Sequence, residues 1–422
     1  MNTKQAHPKG NILYVTSRFP SISATFVTNE MTGVQQLGYD VHICTIWNPL
    51  SDHKGHPAEA QFLDKVVTTG LNSLANWGIA LTTLITNPGI LLLVLKLVPG
   101  HLKSPWLFAK LLAAIPKGLI AGSWAKKNNV KWIHAHFLTS PTTVALIASK
   151  VSKIPYSATG HAFDITSEDP RIINGSVALK CKEAATIITI SNYNRDDIIA
   201  RWPELKDIRL EVIYNGIDTA AFSPSDKPID GSRKQTKQIL SVSTLIAKKG
   251  FYYLIKAAGI LLDKGHDIVL DIYGEGPERA RLEALIEELG RADTIKLHGS
   301  ANQDQVAALC TATDIFALAS IPLKSGDADG LPTVLIESLA VEIPTVSTQV
   351  TGIPEIIIDG VTGKCVPPAD VEALAYALEW LLNHPDEAKE MGKNGRELVL
   401  SKFDKTVATA KLDALWQELL AN

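Results

Sequence analysis

The sequence predicts an α/β protein made of two doubly wound, Rossmann-like domains that face each other across a cleft. Three observations carry this. The chain has 422 residues, too many for one ordinary core and suited to two domains of about 200 residues. Apolar strand-length runs alternate with helix-length segments, the pattern of a parallel sheet covered on both faces. The alternation stops at a polar segment near the middle of the chain and then restarts. At 46% hydrophobic and 20% charged, the composition is that of a globular chain and not of a disordered one.

The elements follow in order. A strand at 11–15 (NILYV) leads into a helical pattern over 22–37 and a strand at 39–46 (YDVHICTI). Further strands fall at 131–137, 154–160, 185–191 and 208–216, each apolar and β-branched. The polar, Pro- and Gly-containing stretch 218–236 has linker composition. Strands then resume at 238–243, 267–274, 294–299, 314–320 and 343–348. The last segment, 404–422, places Val407, Leu412, Leu415, Trp416 and Leu419 at helical spacing, so it has an apolar face to bury. It either caps its own domain or crosses back onto the first. The expected division is a first domain at 1–222, a second at 223–403 and a terminal helix at 404–422.

Composition excludes some classes. Cys44, Cys181, Cys310 and Cys365 are scattered without ligand-like spacing, which argues for a reducing compartment with neither disulfide framework nor zinc site. The N-terminal MNTKQAHPKG lacks the apolar core of a secretory signal, so a cytoplasmic location is expected. Charge is uneven: residues 1–225 hold 21 Lys/Arg against 15 Asp/Glu, and 226–422 hold 20 against 29. No acid lies between Asp64 and Asp164, although ten lysines do. Within that region, Lys96, Lys103, Lys110 and Lys117 are spaced seven apart, one stripe on a continuous helix. Pro99, Pro105 and Pro116 argue against such continuity. The segment 81–122 is therefore either a basic amphipathic surface resting on anionic lipid or a lysine face over ordinary packing. The apolar run 89–98 is shorter than the ~20 residues a membrane span needs.

In open α/β sheets, ligands sit beyond the carboxyl ends of the strands. No G-x-G-x-x-G follows the first strand, and neither a phosphate-binding P-loop nor a G-x-S-x-G elbow occurs. YGEGPE (273–278) is a strand-to-helix turn in which Gly274 and Gly276 allow close backbone approach, either to a ligand or within the turn. The stretch SGDADGLPTVLIE (325–337) holds more chemistry. Pro332 suits a first helical turn, whose free N–H groups attract phosphate. Asp329 lies just ahead of that turn and Glu337 further along the helix, where an ionised carboxylate can accept both hydroxyls of a ribose diol. Asp327 with Asp329 offers a competing arrangement, two acids around one hard cation, although Asp327 also suits a solvated loop. His134 and His136 share one strand face; His134 suits a buried, satisfied histidine, and His136, nearer the strand end, suits either packing or a site. Asp164 either approaches a ligand or caps the next segment. Trp106 and Trp124 suit packing better than sugar platforms.

The segment DGLPTVLIESLAVEIPTVSTQVTGIPEIIIDGVTGKCVPPAD resembles the C-terminal signature of glycosyltransferase family 4, the retaining, nucleotide-sugar-dependent enzymes of GT-B architecture. YGEGPE, STLIAKKGF (243–251), YNGID (214–218) and ATGHAFDI (158–165) extend the resemblance. SRFPSISATFVTNEM (17–31) is similar to the N-terminal loop of the subgroup that makes colanic acid and other exopolysaccharides. The resemblance implies that Glu337 binds the donor ribose and that Asp329 lies beside the transferring sugar. It implies that Gly330, Leu331, Pro332 and Thr333 present backbone amides to sugar and diphosphate, and that Lys249 neutralises the diphosphate. His161 would hydrogen-bond the donor sugar near the reacting carbon, with Arg18, Ser23, His136 and Asp164 on the acceptor side. The family's front-face route needs no protein nucleophile, no cofactor and no obligatory metal.

Three positions depart from the family pattern: Thr244 stands where an Arg is usual, Asp329 where Glu is usual, and Ala24 where the subgroup commonly has Glu. The expected activity is transfer of a hexose from a UDP- or GDP-sugar to a lipid-linked or growing polysaccharide acceptor. The protein would then sit peripherally on the inner face of the plasma membrane, with no nucleic-acid partner. A catalytically silent nucleotide-sugar-binding relative and a GT-B sugar-nucleotide epimerase are the alternatives.

Overall fold

The structure, a computed structural model, describes residues 9–21, 25–47, 57–169, 176–224 and 236–421. It separates into two compact units, one of residues 1–214 with 408–422 and one of residues 215–407.

In the first unit, seven parallel strands run in the order β3-β2-β1-β4-β5-β6-β7. They are β1 (Gly10–Thr16), β2 (Tyr39–Thr45), β3 (Val66–Val67), β4 (Val130–His136), β5 (Tyr156–Gly160), β6 (Thr186–Thr189) and β7 (Leu210–Val212). The connecting helices are α1 (Thr25–Gln36), α2 (Leu74–Thr86), α3 (Gly89–His101), α4 (Pro105–Lys127), α5 (Ser140–Ser152), α6 (Phe163–Thr166), α7 (Val177–Glu183) and α8 (Asn192–Arg201). β1 pairs with β2 on one side and β4 on the other, so the crossovers diverge there. That switch point leaves a crevice at the strands' carboxyl ends.

One core lies between the sheet and α3–α5, around Leu97, Leu119, Leu146 and Ile147. α4 carries Gly118 and Gly122 where a Cβ would meet Ile147 at 2.7 Å and the Ala148 carbonyl at 2.8 Å. Glycine at these two positions brings α4 directly onto α5. Among the described residues α4 alone is a single helix long and apolar enough to cross a membrane, yet more than half of its apolar stretch is buried here, as in a core helix.

The second unit repeats the design with six parallel strands ordered β10-β9-β8-β11-β12-β13. These are β8 (Lys237–Val242), β9 (Ile268–Tyr273), β10 (Ile295–His298), β11 (Ile315–Leu318), β12 (Thr345–Thr348) and β13 (Lys364–Val366). Its helices are α9 (Phe251–Asp263), α10 (Arg279–Glu288), α11 (Gln303–Thr311), α12 (Thr333–Ala340), α13 (Val371–Asn383) and α14 (Pro385–Lys402). The strand order again diverges, between β8 and β11. The stretch 218–236 belongs to this unit, with 225–235 outside the described residues.

The terminal helix α15 (Lys405–Ala421) crosses back, and from Ala408 onward it belongs to the first unit. Trp416 is fully buried beside Trp132, Tyr14 and His134, and its indole N–H lies 3.3 Å from the Ser157 hydroxyl. Tyr39 donates to Asp413 at 2.7 Å, and the Lys9 ammonium reaches the same carboxylate. A second core, with Ile12, Tyr14, Met31 and Trp132, forms around this helix.

The lysines at 96–117 do not form one continuous stripe, as the prolines there suggested. α3 and α4 break at 102–104, Lys96 and Lys103 are exposed, and Lys117 is buried with its ammonium 3.4 Å from the Thr69 carbonyl. Burial also holds the Lys117 pKa below its ordinary value.

Candidate active site

In the first unit the polar side chains gather where β1, β4 and β5 end. β4 places His134 and His136 on one face, two residues apart, because side chains alternate along a strand. Tyr14 on β1 donates to Glu30 Oε1 on α1 at 2.9 Å. The same oxygen lies 3.4 Å from the Nε2 atoms of both His134 and His136. Burial pushes the Glu30 carboxyl up, but the two imidazoles beside it and the hydrogen bond from Tyr14 outweigh it and bring the pKa to about 2. Burial lowers His134 to about 3. Its Nδ1 contacts the Ser157 hydroxyl at 2.7 Å and its Nε2 the Thr159 hydroxyl at 3.1 Å, so it is buried and satisfied.

His136 faces the crevice. Its Nδ1 is 3.0 Å from His161 Nε2, and the rings stack at 5.2 Å. His161 follows β5, is buried, and is packed by Phe26 and Phe137. Burial, followed by the neighbouring His136 and His134, holds its pKa well below the ordinary histidine range. Among the described residues neither His161 Nδ1 nor His136 Nε2 has a hydrogen-bond partner. The backbone of His161 is fixed on both sides: Asn194 donates to its carbonyl at 2.6 Å, and its N–H donates to Asp164 at 3.0 Å.

Asp164 differs from the acceptor-side role expected of it. It is fully buried, and its two oxygens accept the backbone N–H groups of Leu138, His161 and Ala162 at 2.8–3.0 Å. A carboxylate engaged in this way clamps the β4 and β5 loops together and positions His161. Arg18 is exposed beyond β1, and Ser23 and Ala24 lie outside the described residues.

Three participants escaped the sequence reading: Glu30, Tyr14 and Lys180. The fully buried Lys180 donates to the Leu138 and Thr139 carbonyls at 2.5 and 2.9 Å, and burial lowers its pKa to about 8. Glu30 had a signal, since it is the sole acid among residues 1–39. Glu30, His134 and His136 also bring three ligand-type atoms within 4.8 Å of one another, a donor set compatible with a divalent ion. Two of those atoms are already engaged, Glu30 Oε1 by Tyr14 and His134 Nε2 by Thr159.

In the second unit the loops after β8, β9 and β11 hold the remaining candidates. Lys249 precedes α9, and its ammonium lies 2.8 Å from Asp329 Oδ1. Asp329 is buried and takes the Ser320 hydroxyl on Oδ2 at 2.6 Å. Asp327 pairs with Lys248 at 2.9 Å, and the same ammonium lies 4.0 Å from Asp329 Oδ1. Two lysine ammonium groups thus lie against the two acids, with Lys248 between them and Lys249 on Asp329. Gly330 is fastened by Gly352 N–H at 3.1 Å and the Thr351 hydroxyl at 3.0 Å, both to its carbonyl. Leu331 and Pro332 are buried behind it, and α12 begins at Thr333, with Pro332 as its cap residue.

Glu337 sits on α12, partly exposed, with no hydrogen-bond or ion-pair partner among the described residues. Burial raises its carboxyl to about 7. A lone carboxylate at that pKa suits a ligand that brings its own donors. Thr244 is exposed in the loop after β8. Gly274 and Gly276 approach that loop closely: a Cβ on Gly274 would meet the Ser243 carbonyl at 1.9 Å, and one on Gly276 the Leu245 carbonyl at 2.4 Å. Their smallness serves loop-to-loop packing, the tight-turn alternative for this motif.

Comparison with known proteins accords with this geometry. Residues 23–221 match the family model for glycosyltransferase family 4, and residues 223–398 match that for glycosyl transferases group 1. The putative colanic acid biosynthesis glycosyltransferase WcaL of Escherichia coli is 34% identical over 212 residues, 50% of this chain and 52% of WcaL, so the match spans about half of that relative. The amylovoran biosynthesis glycosyltransferase AmsK of Erwinia amylovora is 26% identical over 97% of this chain and 99% of its own. Among solved structures, a glycosyltransferase from Rickettsia africae superposes with TM-score 0.74 at 18% identity, covering 99% of this chain and 100% of that one. Anabaena HepE, solved with UDP and glucose, superposes with TM-score 0.69 at 16% identity over 97% of this chain and 99% of its own. These two share the fold.

Proposed function

Because the chain belongs to glycosyltransferase family 4, in its colanic-acid and exopolysaccharide subgroup and with the GT-B fold, we propose that it moves a hexose from a UDP- or GDP-sugar, with retention, onto a lipid-linked or growing polysaccharide acceptor. The names of WcaL and AmsK support exopolysaccharide synthesis as the setting, and the UDP–glucose complex of HepE supports a nucleotide-sugar donor.

One observation carries the reading. Lys249 is held at 2.8 Å by Asp329 immediately ahead of α12, while Glu337 on that helix stands without a partner. A fixed cation for diphosphate, a helix start for phosphate oxygens and an unpaired carboxylate for a ribose diol together describe a nucleoside-diphosphate seat. In the reaction, the bond from the anomeric carbon to the diphosphate breaks and the acceptor hydroxyl oxygen bonds that carbon on the same face. The hydroxyl proton passes to the departing phosphate oxygen. Lys249 stabilises the charge that develops on the leaving group, and His161 Nδ1 contacts the donor sugar. The positive charge comes from the protein, so no metal is required and chelation leaves turnover unchanged.

A thermal-shift panel of UDP-, GDP- and ADP-sugars tests the donor. A ligand at a hundred times its dissociation constant stabilises by roughly 2.7 kcal/mol. Absence of any shift, together with an unaffected Glu337→Ala variant, overturns the reading. The anomeric configuration of the product, read by NMR, tests retention. Thr244 favours a second reading, a binder without turnover, because one phosphate-neutralising charge is lacking there. Donor binding without turnover in the native chain, with turnover restored by Thr244→Arg, would identify that case.

A further inference from the structure

α2 is amphipathic in the inverted sense. Leu74, Trp77, Leu81 and Ile85 fall within one quarter of the helical circumference and are exposed, Leu74 to 89% and Ile85 to 69%. The opposite face buries Asn76, Ala80 and Thr83, and Asn76 donates to the Gly70 carbonyl at 2.8 Å. α3, bent from α2 by 102°, is apolar on both sides. It buries Ile90, Leu93 and Leu97 and exposes Leu91, Leu92 and Leu95. Leu102 at 64% and Trp106 at 57% continue the exposed surface to the start of α4. Soluble monomers rarely expose a contiguous apolar patch of this extent.

We propose that this surface is a monotopic docking face that inserts into the interfacial layer of an anionic phospholipid bilayer. Charge decides the occupant. Lys96 and Lys103 are exposed among the apolar residues, and Lys110 places its ammonium 5.4 Å from the centre of the Trp106 ring. No acidic residue occurs from 65 to 163 to oppose them. Outward leucines, exposed tryptophans and exposed lysines are the combination that anionic lipid headgroups and the acyl boundary recognise. Insertion of a helix face to roughly 5–10 Å is the depth such surfaces reach. α4 stays in the core, so the face lies in the membrane plane and does not cross it.

The docking face also adjoins the site, which gives it a purpose if the transferase reading holds; this part of the inference rests on that reading. His101 and Lys110, from α3 and α4, line a pocket together with Ser17, Thr139, Ser140 and Phe163. The Phe163 ring packs on Phe137 at 5.3 Å, and Phe137 packs on His161 at 4.7 Å. An acceptor carried on a membrane lipid would meet cation, hydroxyl and aromatic groups in this pocket before reaching His161. The chemistry of this pocket thus suits a lipid-anchored phosphate, with its glycan toward His161.

The test uses the full chain with vesicles of neutral phospholipid alone and of neutral phospholipid mixed with phosphatidylglycerol. Expected are co-sedimentation with the anionic vesicles, blue-shifted tryptophan emission and quenching by brominated acyl chains. Ile85→Glu with Leu92→Glu should lower partitioning at least tenfold and abolish quenching, with thermal stability unchanged because both side chains are exposed. Lys96→Glu with Lys103→Glu should remove the preference for anionic lipid while leaving residual apolar binding. Failure to bind either vesicle overturns the proposal, as does binding that neither double variant alters. Self-association that Ile85→Glu disperses, without vesicle binding, also overturns it and assigns the face to a second copy. Donor-induced thermal shifts in the Ile85→Glu, Leu92→Glu variant report on the transferase reading independently.

Discussion

The Nδ1 atom of His136 lies 3.0 Å from the Nε2 atom of His161, inside the buried end of the first sheet. Only one proton occupies that line, so the two rings set each other's tautomers. The ionised Glu30 next to His136 Nε2 draws that ring's proton to Nε2. His136 Nδ1 then accepts from His161 Nε2–H, and His161 Nδ1 is left as a bare acceptor for a sugar hydroxyl.

Glu30→Gln should reverse this chain, because the amide can donate to His136 Nε2. Nitrogen NMR of labelled histidine should then show His161 Nδ1 changing from bare to protonated, with kcat falling roughly 10- to 1,000-fold and KM for the acceptor little changed. A loss of activity with the tautomer unchanged would make Glu30 a merely structural acid. Metal analysis of the purified chain separates the remaining possibility, since a stoichiometric divalent ion on Glu30, His134 and His136 would replace the proton chain.

Glu337 carries a pH dependence whose sign follows from its carboxyl being raised to about 7 in the fold against 4.5 ordinarily. Between those values the folded form holds a proton that the unfolded chain releases, so stability falls as pH rises through this window. Glu337→Gln should therefore be more stable than the native chain at pH 8, by on the order of 2 kcal/mol, and indistinguishable at pH 4. Donor binding should move the opposite way, strengthening through pH 7 in the native chain as the carboxylate forms and remaining weak in the variant. Chemical denaturation and nucleotide titration across pH 5–8 check both.

Asp329 is gripped by the Lys249 ammonium at 2.8 Å and the Ser320 hydroxyl at 2.6 Å. The shorter acid fits this spacing, so Asp329→Glu should lower kcat/KM by roughly tenfold or more through displacement of Lys249. Thr244→Arg, at an exposed loop position, should tighten donor diphosphate binding by a similar factor. An increase in activity from Asp329→Glu would mean that the pocket is built for the longer acid.

Trp416 tests the return of α15 to the first unit. It is fully buried among Tyr14, Trp132 and His134. Trp416→Ala should cost about 3–5 kcal/mol in chemical denaturation, and it should broaden the His134 signals that the indole packs against. Leu419→Ala, at the partly buried end of the helix, should cost much less.

Legibility in the sequence followed the range of each interaction. The alternating apolar runs, the restart after the middle of the chain and the apolar face of 404–422 come from local periodicity, and they correspond to the two parallel sheets and α15. Asp329, Glu337, Lys249 and His161 could be named as candidates because their loops carry compact local motifs. For Asp164 the sequence left ligand contact and local capping open, and the convergence of three backbone N–H groups from two loops, visible only in the fold, favours the second. Whether the lysines spaced seven apart share one face was open in the sequence, and the helix break at 102–104 with burial of Lys117 decided it against one stripe.

The sequence by itself determined the two-unit α/β architecture, the family and the positions of the donor-side candidates, because strand periodicity and short loop motifs are written in contiguous residues. Only the tertiary structure decided that Glu30 and Tyr14 join His134, His136 and His161, and that Lys248 and Lys249 lie against Asp327 and Asp329. It also decided that α2 turns its leucines outward. These relations depend on which strand ends adjoin and which helix face meets the sheet. Both are set by packing between segments distant in the chain, which no local pattern encodes.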